Sequence, residues 1–514
     1  MIFKVLPAGS RCPTQEANCA YLIIDNWDDW FEFSTMYTLV YIDSSSSIKN
    51  IGSTKIGQLN MEKGQDRPKI PKVFNNLDEQ FFSVGQDDSF YEALNDLGEG
   101  IRSEILSSLN DIALNEDIFK QAIKERVTSV SLLRFVSITS VTGQFRRLAR
   151  GDARLSRYSF TYNSPIMKRT KSDRISLSFD VIPESNPPTN IHVLIGRNGV
   201  GKTHLIDNMI SSLIDEKSTP AKVGEFIPDE EQNHGSLFSN VVSVTFSAFD
   251  ETEPLAERKD KSKGIQFSYV GLKRIKTSSD TRSLSPKSPT ILRNEFVKSL
   301  HFCIASGKIE RWKRAVRKLE SDPVFSDINI TSILTKKDED EDEFKLIAGR
   351  LFSNLSSGHK IVLLTITRLV ETIEEKSLVF LDEPEAHLHP PLLSAFIRSL
   401  SDLLINRNAV SIIATHSPVV LQEVPKSCTW KLWRSGHLSK VERLEIESFG
   451  ENVGVLTREV FGLENTDSGF HNLLKDAINN YEDYESAVSS FKEQLGVEAK
   501  GILRALFIIK NNSI

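Results

Sequence analysis

The chain contains little that would mark a secreted or membrane protein. It has only four cysteines in 514 residues, Cys12, Cys19, Cys303 and Cys428, and their spacing forms neither a C-x-x-C pair nor a zinc motif. No apolar run approaches the roughly 20 residues that a membrane-spanning helix needs, and the first residues lack a secretory pattern. We therefore expect a cytoplasmic protein with reduced, buried thiols and no membrane segment.

Charge and composition exclude little else. The formal net charge is -6, so nucleic-acid binding has no support from overall charge and would have to come from a local basic patch. The hydrophobic fraction of 39% and the charged fraction of 26% are ordinary for a globular protein. The length predicts two or three structural units, and heptads are nowhere sustained long enough for a long coiled coil.

One loop carries the strongest chemical signal. The sequence from Gly196 to Thr203 is GRNGVGKT, the G-x-x-x-x-G-K-T pattern of a phosphate-binding loop. An apolar run at 191–195 predicts a buried strand before it, and the apolar spacing from Thr203 to Ile214 predicts a helix after it. Backbone N–H groups of such a loop and the amino end of the helix bind phosphate. The candidate nucleotide-binding residues are Asn198, Gly199, Gly201, Lys202, Thr203 and His204.

Two later strands end in polar side chains. The run from Ser377 ends in Asp382 and Glu383, a Walker B pattern in which Asp382 would hold Mg²⁺, together with the Thr203 hydroxyl, and Glu383 would activate water. Alone, such carboxylates could equally be helix caps. The strand at 410–415 ends at His416, a candidate contact for the γ-phosphate, although a lone histidine is more often a core residue. We take Glu383 and His416 as the candidate catalytic residues.

Between these motifs, the sequence LSSGHK at 355–360 precedes an apolar helix predicted over 361–373. Hydroxyls and a glycine at the start of a helix can bind an anion. The alternative is a plain helix cap. The position of this stretch shortly before the Walker B strand favours anion binding.

The first 175 residues contain two less specific features. An acidic aromatic stretch, Trp27 to Phe31, predicts either a docking surface or packing against a neighbouring lobe. The region 140–175 is rich in arginine and lysine with interleaved aromatic residues, which is typical either of a nucleic-acid groove or of a solvated face. The candidate DNA contacts are Arg146, Arg147, Arg150 and Arg154.

Taken together, GRNGVGKT, LSSGHK, LVFLDEPEAHLHP and IIATHSP resemble the ABC-type P-loop ATPase heads of the SMC, RecF and OLD group, over roughly residues 174 to 425. The resemblance implies an α/β fold with a mixed sheet and helices on both faces, ATP and Mg²⁺ as cofactors, and Mg²⁺-dependent hydrolysis of ATP to ADP and phosphate. It also implies an ATP-sandwich homodimer or higher oligomer, in which Ser356, Ser357 and Gly358 act on ATP bound to the partner. Residues 385–389 would form the D-loop.

The chain departs from this group in three ways. LSSGH replaces LSGGQ, Ser247 to Asp250 lies where the family has a glutamine, and no TOPRIM nuclease pattern follows His416. The chain therefore resembles OLD-like ATPases that work with a separate nuclease, such as the PtuA-like ATPases of Septu and retron anti-phage systems, whose partner is an HNH nuclease. A RecF/SMC-like DNA-repair ATPase is the alternative. A transporter subunit fits less well, because of the insertions at 1–170 and 251–345.

These observations predict an ATPase head with an α+β N-terminal extension and a helical insertion. The predicted parts are an N-terminal part of the head with its extension (1–173), a Walker A lobe (174–250), an inserted loop and helical arm (251–345), a signature, Walker B and switch-histidine lobe (346–430), and a C-terminal helical region (431–514).

Overall fold

A computed structural model describes most of the chain. The described residues are 1–10, 12–13, 16–25, 32–61, 65–152, 155–165, 174–215, 217–229, 237–246, 254–258, 265–275, 286–336, 341–435, 438–462, 469–492 and 494–512. The aromatic stretch 27–31, Arg154 and the segment 247–250 lie outside these ranges.

The strands, in chain order, are β1 (Ile2–Leu6), β2 (Cys19–Ile24), β3 (Met36–Ile42), β4 (Ile48–Gln58), β5 (Val73–Phe74), β6 (Phe81–Gly85), β7 (Tyr158–Asn163), β8 (Ser176–Val181), β9 (Ile191–Ile195), β10 (Glu225–Pro228), β11 (Asn240–Thr245), β12 (Gln266–Gly271), β13 (Leu378–Asp382), β14 (Val410–Thr415), β15 (Thr429–Ser435) and β16 (Leu438–Glu442).

The α-helices are α1 (Asp88–Asn95), α2 (Glu99–Ser108), α3 (Glu116–Ala122), α4 (Ile138–Ser140), α5 (Arg146–Arg150), α6 (Lys202–Ile214), α7 (Pro220–Val223), α8 (Pro289–Ala305), α9 (Ile309–Leu319), α10 (Pro323–Ile328), α11 (Glu341–Asn354), α12 (Ser357–Thr372), α13 (Pro390–Asn406), α14 (Pro418–Leu421), α15 (Val453–Phe461), α16 (Phe470–Asn480), α17 (Tyr484–Ser490) and α18 (Val497–Asn512). Short π-helices cover Thr128–Leu132 and Val141–Phe145, and 3₁₀ turns cover Ile330–Lys336 and Lys426–Cys428.

A seven-stranded sheet in the order β12-β11-β13-β14-β9-β15-β16 forms the centre of the molecule. Its strands are parallel except for the antiparallel pair β15 and β16. Alternate side chains of β13 enter two different cores: Val379 and Leu381 pack with the helices α8, α9, α12 and α13, and Leu378 and Phe380 pack with α6. This alternation explains why the strand is apolar throughout, and it confirms the α/β sheet with helices on both faces.

The first 150 residues build a second sheet of their own. Its order is β5-β1-β2-β3-β4-β6, and the helices α1, α2 and α5 contribute to its main core. The helical insertion consists of α8 to α11. The predicted α+β N-terminal extension and helical insertion are therefore present, whereas the five-part division of the chain stays a prediction.

The cysteines confirm the expectation of buried thiols. Cys19, Cys303 and Cys428 are buried and Cys12 is half-buried, all without a disulfide. Burial raises the pKa of Cys303 to about 12 and that of Cys428 to about 11. These two thiols therefore stay protonated and unreactive at neutral pH.

Amphipathic patterns at 101–114 and 118–127 predict two helices in the N-terminal region, and both helices end earlier than predicted; α3, the second, ends at Ala122. The apolar spacing predicts a helix over 101–114, but α2 ends at Ser108. Asn110 adopts a left-handed conformation with φ 51, and its side-chain amide donates to the carbonyls of Leu77, Asp78 and Phe81. Asparagine tolerates this conformation better than most residues, so the chain leaves the helix there.

The N-terminal lobe joins the ATPase sheet through a buried ionic cluster, formed by Asp87, Asp88, Arg311 and Arg407. Arg407 lies 3.3 Å from Asp87 and 3.2 Å from Asp88, and Arg311 also pairs with both carboxylates. All four side chains are at most 5% exposed. The cluster connects the start of α1 with α9 and the end of α13.

A second contact of the N-terminal lobe lies beside the cluster. The Gln144 backbone N–H donates to Glu375 Oε2 at 2.5 Å, and Arg147 pairs with the same carboxylate. The Gln144 side chain also accepts from Arg407 at 3.1 Å. Glu375 lies just before β13, so this lobe contacts the amino end of the Walker B strand.

A buried histidine on β9 should make the fold sensitive to acid. The His192 ring is buried, and neither of its nitrogens has a well-formed hydrogen bond among the described residues; the nearby Asp180 backbone only partly opposes the effect of burial on the pKa of His192. Burial lowers the pKa of His192 from 6.5 to about 3. Below pH 6.5 His192 takes up a proton in the unfolded chain but not in the folded one. The free energy of unfolding is therefore highest above pH 6.5 and falls as the pH drops toward 3.

We expect His192→Leu to remove this dependence. In the native protein, His192 should cost about 2 kcal/mol of stability between pH 8 and pH 5, and leucine carries no proton in either state. Urea denaturation of both proteins at the two pH values measures the difference. An equal loss of stability in both proteins would show that His192 is not the responsible group.

Candidate functional site

The phosphate loop lies between β9 and α6, as the sequence predicts. Gly199 and Gly201 have φ angles of 80 and 100, a region that favours glycine. A Cβ on Gly196 would approach the Leu432 carbonyl of the neighbouring strand to 2.6 Å, so a side chain is excluded there. Asn198 and Gly199 are exposed at the tip of the loop. The loop thus presents its backbone at the carboxyl edge of the sheet, above the amino end of α6.

Lys202 is the buried cation of this loop. Its ammonium donates to the carbonyls of Gly196 at 3.0 Å and Arg197 at 3.1 Å. Burial lowers the pKa of Lys202, and the carboxylates of Glu383, Asp382 and Glu385 oppose that shift. The ammonium is therefore close enough to the carboxylates after β13 to be stabilised by their charge. Its bonds to two loop carbonyls also fix the shape of the loop.

The two predicted metal-binding side chains face one cavity. Asp382, the last residue of β13, is paired in register with Thr245 on one side and Ala414 on the other. Thr203 and Asp382 both line a cavity of about 110 Å³ beside the phosphate loop. A hydroxyl and a carboxylate are the hard oxygen donors that Mg²⁺ prefers. The donor set fits Mg²⁺, which Thr203 and Asp382 would hold and which would offset the negative charge of bound phosphates.

Glu383, which directly follows Asp382, lies close to His416. His416 Nδ1 lies 3.4 Å from Glu383 Oε1 and 3.2 Å from Glu385 Oε1. Both Glu383 and His416 are partly exposed, as groups that act on a bound ligand must be. The structure therefore brings the two predicted catalytic residues together.

Glu385 holds His416 in place. Its Oε1 accepts from the Thr415 hydroxyl at 2.6 Å and from the His416 backbone N–H at 2.9 Å. Sequence reasoning placed Glu385 in the D-loop and missed this role. In the sequence, only the position of Glu385 two residues after Glu383 hinted at this role. The role becomes specific only because β14, which ends at Thr415, lies beside β13.

The LSSGHK stretch occupies a different place from the phosphate loop. Ser356 caps α12 by accepting from the His359 backbone N–H, so this helix begins four residues earlier than predicted. A Cβ on Gly358 would meet the His387 carbonyl at 2.8 Å, so Gly358 packs against the D-loop segment. The side chains of Ser356 and Ser357 are exposed and can contact a ligand from outside.

Several other predicted residues have local partners. His204 is exposed on α6, with Nε2 3.2 Å from the Asn208 amide. Arg146 donates to the Ala113 carbonyl at 3.3 Å, and Arg147 pairs with the buried Glu375. Arg150, at the end of α5, is exposed. Two of the candidate DNA contacts thus take part in packing within the chain.

Comparison with known proteins agrees with this geometry. A family model described as "AAA domain, putative AbiEii toxin, Type IV TA system" matches residues 311–422. That range contains the signature, the Walker B strand and the switch histidine. "Protein ea59" of Escherichia phage lambda is 40% identical over 527 positions, which cover 98% of this chain and 98% of that protein. The chain belongs to the ea59 protein family.

Solved structures similar to this ea59-family protein are distant from it. An inward-facing ABC transporter of metal-chelate type is 14% identical, covers 60% of this chain and 89% of its own, and has a TM-score of 0.31. The ADP conformation of an ATP-binding cassette from an ABC transporter is 13% identical, with coverages of 61% and 100% and a TM-score of 0.31. The site geometry and the family model identify the ea59-family protein as a P-loop ATPase.

The described part of this ea59-family protein contains no helix that is both long and apolar enough to cross a membrane.

Proposed function

We propose that this protein is a Mg²⁺-dependent ATPase that dimerises by sandwiching ATP between two heads. Lys202, Asp382, Glu383 and His416 supply one half of a catalytic site at the carboxyl edge of the sheet. The LSSGHK stretch supplies the other half: its Gly358 packs against the D-loop segment, and α12, which it begins, packs on the opposite face of the sheet from α6, the helix after the phosphate loop. This separation of the two halves carries the proposal.

In the assembled dimer, one chain would bind ATP and act on the attacking water, and the other would close the site. The loop N–H groups and Lys202 would exchange their present partners for phosphate oxygens. Glu383 would take a proton from the attacking water, and His416 would donate to the γ-phosphate oxygen. Ser356 and Ser357 of the partner subunit would close the site from the opposite side and exclude bulk water.

A mixture of two inactive variants tests the arrangement. Lys202→Ala removes the cation of the loop. Ser357→Asp places a negative charge where the partner's phosphates would lie, at a helix amino end that tolerates an acidic residue. Each variant alone should lose ATPase activity. In a heterodimer, one site combines an intact loop with an intact signature, so the mixture should regain activity.

The matched control is a mixture in which one chain carries both changes and the other is Lys202→Ala, because that heterodimer has no intact loop. Two tags allow the heterodimer to be purified before phosphate release is measured. Absence of activity in a verified heterodimer of the two single variants would contradict action in trans.

We further propose that the ATPase controls a separate nuclease in anti-phage defence. The relative in phage lambda and the wording of the matched family both support a role in conflict between phages and hosts. A plaque assay on cells that express the protein with its genomic neighbours tests this. Protection against an infecting phage should disappear with Glu383→Gln, and equal plaque numbers with and without the intact genes would contradict the role.

A RecF/SMC-like ATPase in phage DNA repair is the second candidate, since the relative belongs to a phage. The exposed Arg150 would then contribute to a salt-sensitive, sequence-independent DNA contact. DNA-stimulated ATP hydrolysis by the purified chain, lost with Arg150→Glu and unaccompanied by plaque protection, would favour this function.

A further inference from the structure

Three side chains of metal-binding residue types meet where the helical insertion, α12 and the D-loop segment come together. Asp322 of the helical insertion, His359 of the signature helix and His389 at the start of α13 form a group whose ligand atoms all lie within 4.8 Å of one another. His359 Nε2 is 3.0 Å from Asp322 Oδ1, and His389 Nε2 is 3.7 Å from Asp322 Oδ2. We refer to these residues as the Asp322 cluster.

We propose that the Asp322 cluster binds one divalent transition-metal ion of the zinc type. Two imidazoles and a carboxylate are an established ligand set for Zn²⁺, with bonds of about 2.0–2.2 Å. Tetrahedral ligands at that distance are about 3.3 Å apart; His359 Nε2 lies 3.0 Å from Asp322 Oδ1 and His389 Nε2 lies 3.7 Å from the other oxygen, Oδ2, so the Asp322 carboxylate or the His389 ring would turn to bring all three ligands onto one ion. Small side-chain adjustments would therefore complete the site.

The surroundings of His359 suit a ligand. Its Nδ1 lies 2.6 Å from the Ser356 hydroxyl oxygen, which can accept the Nδ1 proton and leave Nε2 with its lone pair toward Asp322. A bond of this kind behind a metal-binding histidine fixes the ring and its tautomer. Phe325 packs edge-on against the ring, with centroids 5.0 Å apart, and protects one side from water.

His389 must exchange one hydrogen bond for the metal. Its Nδ1 accepts from the Leu392 backbone N–H at 3.3 Å, so without metal the ring proton lies on Nε2 and points to Asp322. Binding moves that proton to Nδ1 and gives up this long bond. The His389 side chain is 53% exposed, whereas Asp322 and His359 are 1% and 6% exposed. The ion would therefore enter from the His389 side, where a water can occupy the fourth position.

The two metal positions of the protein differ in chemistry. The ATP-side position offers oxygen donors, which suit Mg²⁺, whereas the Asp322 cluster offers imidazole nitrogen, which selects for zinc-type ions. The proposal stands on these side chains alone and does not require the ATP-sandwich dimer. A bound ion would join the insertion, the signature helix and the D-loop segment, and so fix the place of Ser356.

Metal titration of the full-length protein tests the proposal. The protein is stripped with a chelator and titrated with Zn²⁺ against a chromophoric chelator, in excess Mg²⁺ and without nucleotide. We expect one equivalent of Zn²⁺ per chain. Co²⁺ should also bind and give the visible absorption of a four-coordinate site, which Zn²⁺ then removes.

Three substitutions keep the local hydrogen bonds while they remove a ligand. Asp322→Asn and His389→Asn preserve side chains that cap helices well, and His359→Gln retains a polar group beside Ser356. Each should weaken Zn²⁺ binding by more than the roughly 10–100-fold lost when a residue that only hydrogen-bonds to a metal ligand is replaced. His387→Asn is the matched control: His387 is exposed, two residues from His389, and has φ 69, which asparagine tolerates. It should bind Zn²⁺ as the native protein does.

Failure of the native protein to bind one equivalent would overturn the proposal and leave the Asp322 cluster as a hydrogen-bond network. Binding that none of the three substitutions weakens would overturn it equally, since the ion would then lie elsewhere. Circular dichroism of each variant shows that the helices are retained.

Discussion

Glu383→Gln should bind ATP with nearly native affinity and lose about 10²–10⁴-fold in the rate of hydrolysis. The amide keeps the shape and the polarity of the side chain but cannot accept the proton of the attacking water. Lys202 and the loop backbone, which would hold the phosphates, remain unchanged. Nucleotide affinity measured with a fluorescent ATP analogue, and single-turnover hydrolysis, separate the two effects.

Glu482→Gln is a suitable control, because that exposed glutamate lies in the C-terminal helical region. It should hydrolyse ATP at the native rate. A native rate for Glu383→Gln as well would assign proton transfer to another group. Loss of binding and hydrolysis together would instead mean that Glu383 holds the nucleotide.

Arg407→Met should destabilise the junction between the N-terminal lobe and the ATPase sheet by about 3–5 kcal/mol. Asp87 and Asp88 would then keep only Arg311 as a common arginine partner among the cluster residues. Burial already raises the pKa of Asp87, against the opposing effect of Arg311 and Arg407. Urea denaturation followed by circular dichroism measures the change in the free energy of unfolding.

An exposed ion pair in the same protein provides the control. Arg458 and Glu498 lie 2.9 Å apart with side chains 66% and 65% exposed, and Arg458→Met should change stability by no more than about 0.5 kcal/mol. Adding Asp88→Asn to Arg407→Met should restore part of the stability, since it removes a buried charge. Equal effects of the two arginine substitutions would show that the cluster is not buried in solution.

The candidate nucleotide site could be predicted from sequence because its parts are local patterns. Each functional residue lies at the end of a strand whose apolar run is visible in the sequence: the phosphate loop after β9, Asp382 at the end of β13 and His416 after β14. Parallel strands place their carboxyl ends at one edge. The meeting of Lys202, Asp382 and His416 therefore follows from three short segments and one topological rule.

The remaining features depend on contacts between distant parts of the chain. Asp322 gave no pattern of its own and became a candidate ligand only when α10 was found beside His359 and His389. The pairing of Arg407 with Asp87 joins residues more than 300 positions apart. Arg147 was predicted to face DNA because its neighbours are basic, and only the fold shows that Glu375 is its partner. Composition cannot distinguish a solvated arginine from one that binds another lobe.

Through Glu375, β13 connects the N-terminal lobe with the candidate nucleotide site. The strand is five residues long, about 17 Å at ~3.4 Å per residue, and helices pack against both of its faces. Before the strand, Glu375 contacts Gln144 and Arg147 of the N-terminal lobe; at its other end lies Asp382, followed by Glu383, the proposed general base. If the lobe affects nucleotide binding through this strand, nucleotide must affect the lobe by the same free energy, because coupling between two binding sites is reciprocal.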